Sequence, residues 1–203
     1  MGYSWKRVRT SLIRLRNKTE FETKQEQLYE LLKMHRQGYI DLYFADESHF
    51  GLTPNIPYAW QHRNEPILLP ASKSRRLTMF GLINTDCKLQ TFINEGSVNS
   101  KQLIEYLDQF VAKTTKKTII VLDNAPTHRS KLFKEKIHEW EKEDVYIFFL
   151  PPYSPELNKI EILWRFIKYK WLPFDAFLNF QNLKDRLNDV ILNIGTKYVI
   201  NFY

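Results

Sequence analysis

Apolar residues recur along this chain with two different periods, which change from one segment to the next. Residues 1–36 and a segment that starts at Asn99 or Ser100 carry apolar residues at helical spacing, which favours α-helices. Short apolar runs rich in β-branched and aromatic residues favour strands. The predicted strands are 39–45, 77–84, 88–94, 118–122 and 145–150, and the other predicted helices are 130–142, 154–172 and 181–194.

The order of these elements predicts an α/β fold. Strands that alternate with helices in the second half of the chain favour parallel pairing, whereas the two consecutive strands in the middle favour an antiparallel edge. A mixed five-stranded sheet with helices on both faces accounts for this order. The carboxyl ends of strands 39–45 and 118–122 are then expected to meet at one edge of the sheet, where open α/β sheets bind their ligands.

Three acidic residues lie where this fold would bring them together. Asp46 and Asp123 each follow an apolar strand, and Glu161 lies at the flank of the apolar stripe of helix 154–172. Carboxylates suit Mg²⁺, and two ions held by such groups stabilise the attacking and leaving oxygens of phosphodiester displacement. Arg165 and Lys168 share the flank of Glu161 and are expected to hold phosphates there.

Each of these acids has a simpler interpretation as well. Asp123 could be a turn residue, and Glu161 could lie on a solvated helix surface. Glu47 competes with Asp46 but is expected to point to the opposite face of the sheet. Glu156 competes with Glu161, although its place near the predicted helix start suits the helix dipole.

The histidines do not form a zinc site. None has zinc-ligand spacing to further histidines or cysteines. His128 follows Asp123 by five residues. It is expected either to contact the acidic site or a scissile phosphate, or to cap the following helix.

Charge is concentrated at the amino terminus. The net charge is +7, and six of the 30 basic residues lie in the first 18 positions, which carry no acid. Such an arm, with Lys6, Arg7 and Arg9, is expected to bind nucleic acid, although a solvated helix end remains an alternative. Arg75 and Arg76 add a second basic stretch in the proline-rich loop 51–76.

The cysteine and apolar content indicate where the protein works. Cys87 is the only cysteine, which excludes an internal disulfide and any cysteine-based zinc site. No apolar run approaches the roughly 20 residues of a membrane span, and the amino terminus lacks the apolar stretch of a signal peptide. We therefore expect a cytoplasmic protein, associated with the nucleoid if it binds DNA.

Three blocks around the acids resemble the signature blocks of DDE transposases of the Tc/mariner superfamily, with the bacterial insertion-sequence branch most similar. The blocks are Phe44-Ala45-Asp46-Glu47-Ser48-His49-Phe50, Val121-Leu122-Asp123-Asn124-Ala125-Pro126-Thr127-His128, and the segment from Leu150 to Trp164 that reads LPPYSPELNKIEILW. They occur in the expected order within about residues 39–172. The 37 residues between Asp123 and Glu161 match the short spacing of that superfamily.

The resemblance implies an RNase H-like catalytic domain that cuts transposon ends and joins them to target DNA. It assigns the three catalytic carboxylates to Asp46, Asp123 and Glu161, with two Mg²⁺ or Mn²⁺ ions as cofactors. It also implies double-stranded DNA as the partner and a homodimer that works on paired ends.

Two departures from the family pattern affect these expectations. Lys159 stands where the family has a proline, which we expect to change local helix shape more than metal binding. The helix-turn-helix modules that recognise transposon ends are also missing. A separate helix-turn-helix polypeptide could supply them, or the chain could be a truncated, catalytically incompetent DNA-binding or oligomerisation remnant. A stand-alone nuclease that acts on RNA–DNA hybrids is a further alternative.

The domain organisation follows from these assignments. Residues 1–38 are expected to be a basic helical segment, the tail of a DNA-binding region and linker. Residues 39–172 would form the catalytic domain, and residues 173–203 a helical extension.

Overall fold

Five strands form one mixed sheet in the computed structural model, which describes residues 13–55, 58, 60–69 and 75–202. The strands are β1 (Asp41–Gly51), β2 (Arg76–Ile83), β3 (Leu89–Glu95), β4 (Thr118–Leu122) and β5 (Val145–Phe149). Their order across the sheet is β3-β2-β1-β4-β5. β1, β2 and β3 pair antiparallel, whereas β1, β4 and β5 pair parallel. The predicted mixed sheet is confirmed.

β1 is longer than its apolar run predicted. It pairs with β4 only as far as Phe44, and then continues to Gly51 along β2. The prediction that Asp46 ends this strand is therefore wrong, because backbone pairing with β2 extends the strand through polar residues that show no strand pattern of their own. Asp46 nevertheless lies just beyond the parallel pairing with β4, and so stays at the edge where β4 ends.

Helices cover both faces of the sheet, as predicted. They are α1 (Lys18–Arg36), α2 (Ser100–Val111), α3 (Lys131–Lys142), α4 (Ile160–Phe166) and α5 (Phe180–Leu192). The apolar sides of α2 and α3 pack on one face of the sheet, around the buried Leu107 and Trp140. α1, α4 and α5 pack on the other face, around the buried Leu32, Leu163 and Leu187.

Side-chain caps explain where several of these helices begin. Asn99 caps α2 in a reciprocal capping box with Gln102, and Ser130 caps α3 through the backbone N–H of Phe133. Both starts agree with the prediction to within a residue.

The helix predicted from Ser154 is interrupted, and this prediction is wrong in detail. Pro155–Leu157 forms only a 3-10 turn, Asn158 is extended, and α4 begins at Ile160. A π-helical turn, Ile167–Trp171, follows α4. Glu161 therefore lies in the first turn of its helix, near the helix start where the sequence pattern places Glu156.

The carboxyl-terminal segment belongs to the same core as the sheet. Phe177, Leu183 and Phe202 are buried in the cluster that also contains residues of β1 and α4. The domain division at residues 38 and 172 stays a prediction. In the part of the chain that the structure describes, no helix has the length and apolar character that a membrane crossing requires.

Candidate active site

A cleft of about 520 Å³ opens at the edge of the sheet where β4 ends. Asp46, Asp123 and Glu161 all line it, together with the loops that follow β4 and β5. The three acids thus come from the central strand, the end of its parallel neighbour and the first turn of α4. The structure brings together the three residues that the sequence had selected.

Asp46 is the most buried of the three carboxylates. Its Oδ2 accepts a hydrogen bond from the indole Nε1 of Trp164 at 3.1 Å. Burial, repulsion from Glu161 and weaker repulsion from Asp123 raise the pKa of Asp46 to about 7, despite stabilising bonds from Trp164 and the backbone N–H of Glu47. An excess of negative charge therefore surrounds Asp46, and a cation in the cleft would neutralise it.

A glycine makes room for the indole that holds Asp46. Gly81 lies directly opposite Asp46 in the β1–β2 pairing, on the face that α4 covers. A Cβ atom at this position would come within 2.8 Å of Cη2 of Trp164 and 3.1 Å of Cδ1 of Ile160. Only a residue without a side chain lets α4 approach β2 closely enough for this contact.

Asp123 is held by two donors on one oxygen. Its Oδ1 accepts the backbone N–H of Ala125 at 3.1 Å and lies 2.9 Å from Nδ1 of His128. The same Nδ1 lies 3.0 Å from the backbone oxygen of Asp123. Because a carbonyl oxygen can only accept, Nδ1 must carry the proton. The hydrogen bond from His128 is the main reason that the pKa of Asp123 is lowered.

His128 is buried, with 3% of its surface exposed. Burial lowers its pKa, but the bonds to Asp123 outweigh burial and leave the pKa raised overall. Of the two interpretations of this residue, the structure places it in contact with the acidic site, while Ser130 caps the following helix. Its ring is bonded to Asp123 and has little surface exposed to solvent, and contact with a phosphate stays a prediction.

Glu161 completes the acidic group from α4. Partial desolvation and repulsion from Asp123 raise its pKa, while Lys168 acts in the opposite direction. Lys168 is near enough to interact electrostatically with Glu161 and Asp46, which raise its pKa, although burial lowers the pKa overall. The predicted proximity of Lys168 to the carboxylates is thus observed.

The two competing acids have other surroundings. Glu47 lies on the opposite face of β1, as predicted, where burial raises its pKa and His128 lowers it. Glu156 forms a salt bridge with Arg16. Glu156 is therefore paired with Arg16 and does not line the cleft, whereas Glu161 does.

Of the other predicted DNA-binding residues, those that the structure describes, Arg75, Arg76 and Arg165, do not line the cleft. Arg75 bonds Glu95 at 2.9 Å, and Arg76 pairs with Gly51, five residues and roughly 17 Å along β1 from Asp46. Arg165 is exposed on α4. Lys6, Arg7 and Arg9 lie outside the described residues. DNA contact by these residues stays a prediction.

Four residues around the cleft were not assigned a role from the sequence. Trp164 donates a hydrogen bond to Asp46, and Asn158 is a buried residue of the cleft lining. Arg129 is exposed at the cleft and bonds Asn124, and Tyr153, also at the cleft, has a left-handed backbone with φ 59°. Tyr153, Asn158 and Trp164 fall within the third sequence block and Arg129 directly follows the second, but their contacts depend on how the loops fold.

Lys159 has a backbone that a proline would also adopt. Its φ is −63°, close to the value that a proline ring imposes, and Asn158 before it is extended. Its Nζ donates to the backbone oxygen of Phe202 at 2.9 Å. Lysine at this position thus ties the carboxyl-terminal segment to the start of α4, with a backbone φ that proline could also adopt.

The donor chemistry of the cleft fits Mg²⁺ or Mn²⁺. All three acids offer oxygen, which hard divalent ions prefer. In the described ranges, no three Asp, Glu, His or Cys side chains stand close enough to hold one ion together. Mg²⁺ does not need such a cage, because it commonly binds one or two carboxylates together with substrate phosphates.

Comparison with solved structures supports the fold assignment. The mariner Mos1 paired end complex with Mg has a TM-score of 0.64 at 16% identity, covering 94% of this chain and 60% of that chain. The catalytic domain of Mos1 mariner transposase has a TM-score of 0.57 at 14% identity, covering 91% of this chain and 85% of that chain. The RNase H-like fold predicted from the sequence blocks is confirmed.

Sequence comparison identifies the family. A protein of Sinorhizobium fredii, "Uncharacterized protein y4pE/y4sA", is 31% identical over 65 residues, which are 32% of this chain and 44% of that protein. The chain thus matches less than half of that relative's length. The model of the family described as DDE superfamily endonuclease matches residues 41–184. Since this match covers more than half of the chain and includes all three carboxylates, the chain belongs to the DDE superfamily of endonucleases.

Proposed function

We propose that this chain is the catalytic domain of a transposase that cuts DNA at the ends of an insertion sequence and joins those ends to target DNA. The observation that carries the proposal is the convergence of Asp46, Asp123 and Glu161 on one cleft. In this proposal the three are the catalytic carboxylates and the metal ligands. Membership of the endonuclease family supports the same assignment.

The acids would hold two Mg²⁺ or Mn²⁺ ions. Bound there, the ions would supply a Lewis acid and an activated oxygen nucleophile for phosphodiester displacement. Asp46, Asp123 and Glu161 would hold the ions, whose positive charge would relieve the repulsion from both other acids that raises the pKa of Asp46.

Neighbouring side chains would prepare the carboxylates and the DNA backbone. Trp164 and His128 hold Asp46 and Asp123 by hydrogen bonds, which reduces the reorganisation needed when substrate binds. Lys168, near Glu161 and Asp46, and the exposed Arg129 at the cleft supply positive charge for a phosphate. Both would position the scissile strand without taking a proton.

The partners of the active complex are part of the proposal. Solved Mos1 structures include a paired-end complex with the left transposon end and a strand transfer complex. By analogy, this chain would act on double-stranded DNA as a homodimer. A separate helix-turn-helix polypeptide would recognise the ends, and the basic arm with Lys6, Arg7 and Arg9 would add affinity in the nucleoid.

Site-directed variants test the function. The purified chain would be incubated with Mn²⁺ or Mg²⁺ and duplex DNA from either side of its reading frame, with and without any adjacent helix-turn-helix polypeptide. Asp46→Asn, Asp123→Asn and Glu161→Gln should each abolish strand cleavage while the circular dichroism spectrum is unchanged. Glu156→Gln is the matched control and should cleave normally, because Glu156 is paired with Arg16.

Other outcomes would redirect the assignment. Loss of cleavage in Glu156→Gln but not in Glu161→Gln would show that the third carboxylate was assigned incorrectly. DNA binding without nicking by the wild-type chain, in the presence of Mn²⁺, would favour a catalytically incompetent remnant. Cleavage of only the RNA strand of a hybrid would favour a stand-alone nuclease.

A further inference from the structure

Asn158 is a buried amide at the back of the cleft. It is 4% exposed and lies in the extended link between the 3-10 turn Pro155–Leu157 and α4. Its Nδ2 donates to the backbone oxygen of Ala45 at 3.0 Å. Because that oxygen can only accept, the amide must present its nitrogen to Ala45, and its orientation is determined.

Ala45 is a special position on β1. The parallel pairing with β4 ends at Phe44, so Ala45 is the first residue beyond it. At this point, beyond the end of β4, the side chain of Asn158 donates the hydrogen bond that the carbonyl of Ala45 accepts. Ala45 also directly precedes Asp46, so this hydrogen bond anchors the backbone at the first carboxylate.

The main chain of Asn158 contacts the third carboxylate residue. Its backbone oxygen accepts the N–H of Glu161 at 3.1 Å, in the first turn of α4. One residue therefore bonds the neighbour of Asp46 through its side chain and Glu161 through its backbone. The two elements are otherwise far apart in sequence, with 115 positions separating residue 46 from residue 161.

We propose that Asn158 is a positioning residue that sets the placement of Glu161 relative to Asp46 and thereby the metal affinity of the cleft. Its effect on catalysis rests on the function proposed above, whereas its effect on the α4 start does not. Residues that orient metal ligands typically change metal affinity or activity by roughly 10- to 100-fold when they are replaced.

Asn84 provides a matched control. It is also a buried asparagine, 1% exposed, and its Oδ1 accepts the backbone N–H groups of Asp86 and Lys88 in the β2–β3 turn. Asn84→Ala and Asn158→Ala each remove a buried amide that holds backbone. Only the second touches the cleft.

Three measurements test this positioning role of Asn158. In metal-free protein, Asn158→Ala should raise amide hydrogen exchange at Glu161 by roughly tenfold or more, because the first turn of α4 loses its anchor. The same variant should bind Mn²⁺ at least roughly tenfold more weakly. The Mn²⁺ concentration for half-maximal cleavage should rise more than the rate at saturating Mn²⁺ falls. Asn84→Ala should leave all three unchanged, and Asn158→Gln, which keeps the donor, should restore part of the loss.

The outcomes separate this inference from the proposed function. Wild-type exchange and Mn²⁺ binding in Asn158→Ala, or equal effects in Asn84→Ala, would overturn the positioning role of Asn158 even if the wild-type chain cleaves DNA. If the wild-type chain neither binds Mn²⁺ nor cleaves DNA, the proposed function fails. Amide hydrogen exchange at Glu161 alone then decides whether Asn158 positions the start of α4. If Asn158→Ala does not fold, Asn158→Gln, which keeps the donor to Ala45, and Asn158→Asp, which lacks it, decide the question. At least roughly tenfold larger changes in exchange and Mn²⁺ binding in Asn158→Asp than in Asn158→Gln support the positioning role, and equal values in the two variants overturn it.

Discussion

Asp46→Asn should stabilise the metal-free protein at alkaline pH. Burial and the charges of Glu161 and Asp123 hold the pKa of Asp46 at about 7, well above the ordinary value of 3.8. The folded protein therefore binds this proton more tightly than the unfolded chain, and stability falls as pH rises from about 4 to about 7. An asparagine has no charge to repel and can still accept the bond from Trp164 through its Oδ1.

The magnitude follows from the pKa difference. Because of the shift of about 3 pKa units, ionisation of Asp46 lowers the free energy of unfolding by about 4 kcal/mol at pH 8. At pH 5, where Asp46 of the folded protein is mostly protonated, the loss is less than about 2 kcal/mol. Burying the NH₂ group of asparagine costs about 1–3 kcal/mol if it finds no partner. We therefore expect Asp46→Asn to raise the free energy of unfolding by about 2 kcal/mol at pH 8 and to give no gain at pH 5.

Urea unfolding at pH 5 and pH 8 with EDTA measures this difference. Asp185→Asn, an exposed change on α5, is the control and should be neutral at both pH values. Adding Mg²⁺ at ten times its dissociation constant should stabilise only the wild-type protein, by about 1.4 kcal/mol. A variant less stable than wild type at pH 8, or the same difference at pH 5 and pH 8, would refute the assignment of repulsion at Asp46.

Two further substitutions test the residues that hold the carboxylates. Gly81→Ala should destabilise the protein by about 1–3 kcal/mol and weaken Mn²⁺ binding, because the new methyl group would displace Trp164. Gly51→Ala is the control and should do neither, since nothing lies within 4 Å of its new methyl group. Equal losses of Tm in the two variants would contradict this explanation. His128→Ala should raise the pKa of Asp123, because the hydrogen bond from His128 is the main cause of its lowering. His128→Asn should restore part of that lowering. An Asp123 pKa that NMR titration finds unchanged in His128→Ala would show that His128 does not hold the carboxylate.

The sheet was predictable because its strands carry local patterns. Val145–Phe149 and Thr118–Leu122 are apolar runs whose burial needs no knowledge of their neighbours. The second half of β1 was not predictable. Its residues 46–51 include Asp, Glu, Ser and His, and only hydrogen bonding to β2 makes them a strand.

The start of α4 shows the same limit within a motif. Proline and glutamate at residues 155 and 156 are typical of a helix start, yet the helix begins at Ile160. Asn158 is extended because its side chain bonds β1, a contact between segments more than a hundred residues apart. Local preference for helix was overridden by a tertiary hydrogen bond.

The sequence alone predicted the α/β architecture with its mixed five-stranded sheet and selected three acids for one site, since periodicity, residue type and short motifs are local properties. Only the tertiary structure decided how the acids are held. The indole of Trp164 reaches Asp46 across the space left at Gly81, and His128 turns back on Asp123. Glu161 faces the cleft while Glu156 is paired with Arg16. Apart from the contact between His128 and Asp123, these contacts join distant parts of the chain, and no local pattern records them.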